Sequence, residues 1–155
     1  MTLVNPFRLT IGPYWLLVPE EAKILAEVKI PPPGAARSAP TYWTILMERF
    51  SMSVSLDPLQ DLSQLKKYID YSTQSAAATK TLVVNGLQGV TYGSYMPRTW
   101  IDWHFKKGDT MICLNLQARG SDGLQPTTGE ELTHRAIVES LKYCRDHAEE
   151  NPPGG

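Results

Sequence analysis

A chain of 155 residues with 42% hydrophobic and 20% charged side chains has the size and make-up of one ordinary globular domain around a single core. Fifteen basic residues against sixteen acidic ones leave a net charge of −1, which excludes the electrostatic footprint of a protein built to bind nucleic acid or an anionic membrane. Two cysteines, Cys113 and Cys144, are too few for a disulfide framework and lack C-x-x-C spacing, so both are expected as reduced, partly buried thiols.

No basic segment followed by an apolar run opens the sequence, and no apolar run approaches the ~20 residues of a membrane span. The expectation is a cytoplasmic protein with neither leader nor span. Phe7, Leu9 and Ile11 alternate with Arg8 and Thr10, the period-two pattern of a half-buried strand. Gly12-Pro13 breaks the chain, and Tyr14-Trp15-Leu16-Leu17-Val18 follows as a short apolar run closed by Pro19. Ile24, Ala26, Val28 and Ile30 predict a further strand. It is stopped by Pro31-Pro32-Pro33-Gly34, whose prolines have no N–H for a ladder. The loop up to Pro40 is a candidate partner-facing segment. Residues 41–56 read as one long strand with a bulge near Met47-Glu48, where the apolar phase shifts.

From Asp61 the period lengthens. Leu62, Leu65 and Ile69 share one helical face, with Asp61 as N-cap, which predicts a central helix of roughly four turns fading into Ala76-Ala77-Ala78. Strand character returns at Lys80–Val84, and Asn85-Gly86 is the strongest short hairpin signal, because a type I′ turn needs positive φ at both positions. Gly89 and Gly93 in the returning strand, residues 87–95, mark a bulge or a close approach by another backbone. After the break at Met96-Pro97-Arg98, residues 100–105 and 110–118 form a second hairpin. With Lys107-Gly108 as its turn, Trp103 faces Ile112 and Ile101 faces Leu114 on one apolar face. The other face sets Trp100, Asp102 and His104 against Asn115, Cys113 and Met111. A C-terminal helix starts at Thr128 with Glu131 as capping-box partner. Its stripe is Leu132, Ala136, Ile137, Val138, Leu141 and Cys144. Residues 1–148 form one domain, and residues 149–155, acidic and then rich in Pro and Gly, a disordered tail.

Asp102 and His104, at i and i+2 on one strand face, could pair as carboxylate and imidazole, but no nucleophile or third member is assignable beside them. Glu130, Glu131 and His134 carry the Glu-x-x-His spacing of a metal half-site without a second half, so a solvated helix face with local pairing is the better reading. His147 has no partner in its polar tail. Gly86-Leu87-Gln88-Gly89 leads into a strand, so it cannot present a helix N-terminus to a phosphate. No P-loop, G-x-S-x-G or H-E-x-x-H occurs, so no enzyme activity, cofactor or metal is expected. The aromatics Tyr92, Tyr95, Trp100 and Trp103 near a Pro-containing break would make a contact patch, since aromatic anchors dominate interfaces. The candidate partner-binding set is Tyr92, Tyr95, Arg98, Trp100, Asp102, His104 and Met111.

In this order of elements, with Asn85-Gly86-Leu87 after the central helix, the apolar hairpin of residues 100–118 and Ile137-Val138-Glu139-Ser140-Leu141 to finish, the chain resembles the PsbP/DcrB/Mog-like group. The resemblance implies an α+β fold: an antiparallel sheet with a central and a C-terminal helix packed on it, an α/β sandwich. Its members are typically non-enzymatic and include photosystem assembly factors, a small-GTPase-binding protein, bacterial lipoproteins, and cytoplasmic chaperones and immunity proteins tied to type VI secretion. Lacking a leader and a lipidation Cys, this chain is closer to the chaperone or immunity branch. The implied partner is then a secreted effector or toxin, met by a monomer or a homodimer. No site residue is inherited from the group. The alternative is a small-ligand binder or enzyme using the Asp102/His104 face.

Overall fold

The structure is a computed structural model that describes residues 3, 5–27, 42–58, 80–107 and 110–144. The central helix expected from Asp61, the loop to Pro40 and the tail lie outside the described residues. Within them run β1 (Phe7–Ile11), β2 (Tyr14–Val18), β3 (Lys23–Glu27), β4 (Tyr42–Leu46), β5 (Phe50–Pro58), β6 (Lys80–Val84), β7 (Leu87–Ser94), β8 (Trp100–Lys107), β9 (Thr110–Ala118), helix α1 (Thr128–Glu139) and β10 (Lys142–Tyr143). All strand pairs are antiparallel. They form two sheets where one was expected: a three-stranded sheet, β1-β2-β10, and a seven-stranded sheet, β3-β4-β5-β9-β8-β7-β6.

Period-two alternation decides which side of the large sheet is buried. Ile45, Phe50, Met52, Val54, Phe105, Ile112, Leu114 and Leu116 are fully enclosed on its first face. Each such side chain contributes about 1.5–3 kcal/mol of burial. Ile11, Tyr14, Leu16 and Val18 from the small sheet, with Ile137, Val138 and Leu141 from α1 and its end, belong to the same core. The Tyr14 hydroxyl donates to the Thr110 carbonyl and accepts from the Thr110 hydroxyl, both at 3.0 Å, which ties the two layers together at one end. Trp15 points the other way, yet it is buried too, beneath the Arg8 guanidinium at 4.9 Å and the Lys142 ammonium at 5.2 Å. Those stacked cations let an outward Trp be covered by charged stems.

Residues 41–56 are not one strand. β4 and β5 pair as a hairpin, Leu46 with Ser51 and Trp43 with Val54. A bulge and a turn shift the apolar phase in the same way, from Trp43 and Ile45 to Phe50, Met52 and Val54. The turn at Met47-Glu48-Arg49 carries no Gly, Pro or Asn to announce it. What fixes it is Arg49. Its Nε donates to the Asp122 carbonyl at 2.8 Å and a terminal nitrogen to the Gln125 carbonyl at 3.0 Å, while the other terminal nitrogen pairs with the Glu130 carboxylate. Glu130 also receives the Thr127 backbone N–H at 2.9 Å, while the Thr127 hydroxyl receives that of Glu130. The capping box is therefore Thr127/Glu130, one residue before the Thr128/Glu131 reading. Replacing Arg49 with alanine is expected to cost about 2 kcal/mol, a charge-assisted network discounted for partial exposure. Arg49→Lys should recover little of it, because one ammonium cannot span three acceptors. Urea midpoints of the two variants test this.

The Asn85-Gly86 turn has φ of 48° and 80°, as a type I′ hairpin requires. Asn85 also reaches beyond its own hairpin, where its Nδ2 donates to the carbonyls of Glu139 and Leu141, both at 2.9 Å. A helix end leaves its last carbonyls without partners, and here a hairpin turn supplies the donors. The helix stops at Glu139, short of the predicted stripe. Leu141 is buried beyond it, and Lys142–Tyr143 pair with β2 as a strand too short to leave a pattern.

Candidate functional site

The second face of the large sheet carries the candidates. Pairing between β8 and β9 sets Trp103 opposite Leu114 and Ile101 opposite Leu116, with Lys107 opposite Thr110. The register is thus two residues from the expected one. A shift of two leaves every side chain on its face but changes its neighbour. One row of the second face reads Ser94, Trp100, Gln117, Ser51; the next reads Tyr92, Asp102, Asn115, Ser53; the third reads Val90, His104, Cys113, Ser55.

Within these rows Asp102 and His104 each take a cross-strand partner. Asn115 Nδ2 donates to Asp102 Oδ1 at 2.6 Å. His104 Nδ1 lies 3.0 Å from Cys113 Sγ, and His104 Nε2 lies 3.4 Å from the Tyr92 hydroxyl. The Tyr92 ring is parallel to the imidazole, at 7° and 5.7 Å between centroids. Trp100 meets the other side of Tyr92 edge-on at 5.4 Å and is 37% exposed. Three rings and a thiol therefore form a continuous line across three strands, from an exposed indole to a half-buried sulfur. Each ring is held by its neighbour, so little rotamer freedom is left for a contact to remove.

Not all seven candidates belong to this line. Met111, expected in the partner-binding set, is buried at 4% exposure and adds little contact surface. β7 ends at Ser94, and the two remaining candidates follow that end. Tyr95 turns toward α1, where burial first and then the negative charge of Glu131 push its phenol pKa up. Arg98 donates to the Ala118 carbonyl at 3.0 Å. Cys113 and Asn115 are the residues that sequence reasoning undervalued. Both follow from the register: once Lys107 pairs with Thr110, Cys113 must lie opposite His104.

A concavity lies on the first face, between α1 and strands β6 to β8. It measures about 950 Å³, and Leu82, Trp103, Val138 and His134 are among its walls, with Glu131 and Arg135 as an i,i+4 pair at 3.7 Å. His134 is not on a solvated helix face. It is 4% exposed and edge-on to Phe50 at 4.9 Å between ring centroids. Burial lowers its pKa from 6.5 to about 4 against a weaker opposing pull from Glu130, so the ring is neutral at neutral pH. Among the described residues no three His, Cys, Asp or Glu side chains gather to hold a metal, and no helix is long and apolar enough to cross a membrane.

No protein-family model matches the sequence, and no curated protein matches it. Among solved structures the chain is similar to cyanobacterial PsbP (CyanoP) from Synechocystis, determined in solution, with a TM-score of 0.54 and 12% identity over 92% of this chain and 95% of that one. At that identity the likeness establishes a PsbP-like fold and assigns no role to any residue.

Proposed function

We propose that this chain is a small protein-binding module that docks its partner on the second face of the large sheet, through Trp100, Tyr92, Asp102 and His104. The observation that supports this most directly is the half-exposed Trp100 held edge-on by Tyr92, which is itself stacked on His104. Rigid aromatic anchors beside a satisfied carboxylate are what interface hot spots are made of. Asp102, already bonded to Asn115, keeps carboxylate lone pairs for donors on a partner. The finer reading is a cytoplasmic effector-associated chaperone or immunity protein of type VI secretion, acting as a monomer or homodimer on a secreted effector or toxin. It rests on the resemblance seen in the sequence.

Capture from the native cell with the tagged chain tests the proposal. Wild type should retain one reproducible protein, and Trp100→Ala should weaken that complex roughly 30-fold or more, the effect of losing a hot-spot side chain. Retention of no protein, or unchanged affinity in the variant, would remove the reading. A partner encoded away from any secretion effector would remove only the finer one. The alternative, a small-ligand binder or enzyme, starts from an Asp102–His104 pair in the sequence. Its chemistry would now centre on His104 and Cys113, 3.0 Å apart.

A further inference from the structure

We propose that Cys113 is a reactive thiol, served by His104 as its base, and that it is oxidised by peroxides to a sulfenic acid. Three groups from three strands carry the inference: the Cys113 sulfur on β9, the His104 imidazole on β8 with Nδ1 3.0 Å from it, and the Tyr92 phenol on β7, 3.4 Å from Nε2. A thiol becomes a nucleophile when a base in hydrogen-bond reach takes its proton and a further group orients that base. With Nε2–H donating to the Tyr92 oxygen, Nδ1 turns its lone pair to the sulfur. Proton transfer then leaves an imidazolium that donates at both nitrogens, to the thiolate and to the phenol. The parallel Tyr92 ring lies against the face of that cation, an arrangement that favours the charged form. Cys113 and His104 are both partly exposed and not enclosed, which is what a small oxidant needs to approach the sulfur.

The surroundings select the reaction class. Acyl transfer needs donors for an oxyanion, and Cys113 sits in mid-strand, where β9 pairs with β5 on one side and β8 on the other; the ladder takes the backbone N–H groups. A peroxide asks for less. The Cys113 proton passes to His104 Nδ1, the thiolate attacks one peroxide oxygen, an S–O bond forms and the O–O bond breaks. The leaving hydroxide takes the proton from His104 and departs as water, or as an alcohol from an organic hydroperoxide. Sulfur is oxidised by two electrons and the peroxide is reduced by two. Cys144 follows β10 in the opposite layer, with its sulfur near Arg8, and it serves as the internal reference. The reaction needs no partner protein, so its failure and the failure of the docking proposal are separate results.

The experiment uses the reduced full chain. Iodoacetamide alkylation is followed at both cysteines by site-resolved mass spectrometry across pH, and hydrogen peroxide treatment is followed by trapping with dimedone. At neutral pH Cys113 should alkylate about 10-fold or more faster than Cys144, with a rate that levels off below the ordinary thiol range. The dimedone adduct should appear on Cys113. His104→Gln should bring the Cys113 rate down to that of Cys144, while both thiols react alike in denaturant. Tyr92, a positioning residue, is read through the pH profile: Tyr92→Phe should move the plateau upward in pH. Equal native rates for the two cysteines, no adduct on Cys113, or an unchanged rate in His104→Gln would each overturn the proposal. Should His104→Gln not fold, the wild-type pH profile decides, since an unassisted thiol keeps gaining rate through the ordinary thiol range and levels off only above it.

Discussion

Gly93→Ala is expected to destabilise the protein by about 3–4 kcal/mol, the joint cost of a forbidden φ and of overpacking. Gly93 has φ of +137°, and a Cβ there would stand 2.2 Å from the Trp100 carbonyl oxygen and 2.6 Å from Ile101 Cα. Both atoms are backbone of the neighbouring strand, so no side-chain rotation can relieve the contact. The strand must move or the pairing of Gly93 with Ile101 must open. Against a typical domain stability of about 5–15 kcal/mol the loss is large, and it should lower Tm by roughly 10 °C. Gly120→Ala is the comparison: φ is +56° with nothing within 4 Å of the added carbon, which leaves only the left-handed penalty of about 1–2 kcal/mol. Equal Tm shifts in the two variants would show that the contact on β8 is not what Gly93 is there to permit. Because the clash falls on Trp100 and Ile101, weakened partner binding in Gly93→Ala reports a displaced strand and says nothing about Gly93 as a contact.

The two glycines of β7 were legible in the sequence as either a bulge or a close approach by another backbone, and the close approach is what both permit. The strand faces were legible because alternation survives any register error of two, so Trp100, Asp102 and His104 were set on the correct side although their partners were not. Register itself was not legible across Lys107-Gly108-Asp109, where Lys-Gly and Gly-Asp are both acceptable turn pairs. That single ambiguity hid the candidate chemistry. It placed Met111 opposite His104, where the structure pairs His104 with Cys113. The β4–β5 turn failed for a different reason: its determinant, Arg49, acts through Asp122, Gln125 and Glu130, more than seventy residues away in sequence. The capping box was read one residue late, at Thr128 and Glu131, because nothing local marks Glu130 as the residue that the same arginine holds.

His134 is where the pattern misled most, and it carries the second large effect. A His among Glu130, Glu131 and Arg135 looks solvated, yet α1 turns it inward onto Phe50, and its Nδ1 is buried without a hydrogen-bond partner among the described residues. With a folded pKa of about 4 against 6.5 when unfolded, the unfolded chain binds the proton first. Its contribution is therefore intact above about 6.5 and lost as pH falls toward 4, with no further loss once both states are protonated. The full difference is on the order of 3 kcal/mol. Carboxylates titrate in the lower part of that window too, so the test is a difference between proteins. His134→Leu removes an unsatisfied buried nitrogen at the expense of a ring contact, and should be neutral or about 1 kcal/mol stabilising at neutral pH. As pH falls its advantage should widen by on the order of 3 kcal/mol, seen as diverging urea midpoints. Parallel pH profiles for the two proteins would mean that His134 reaches solvent when charged.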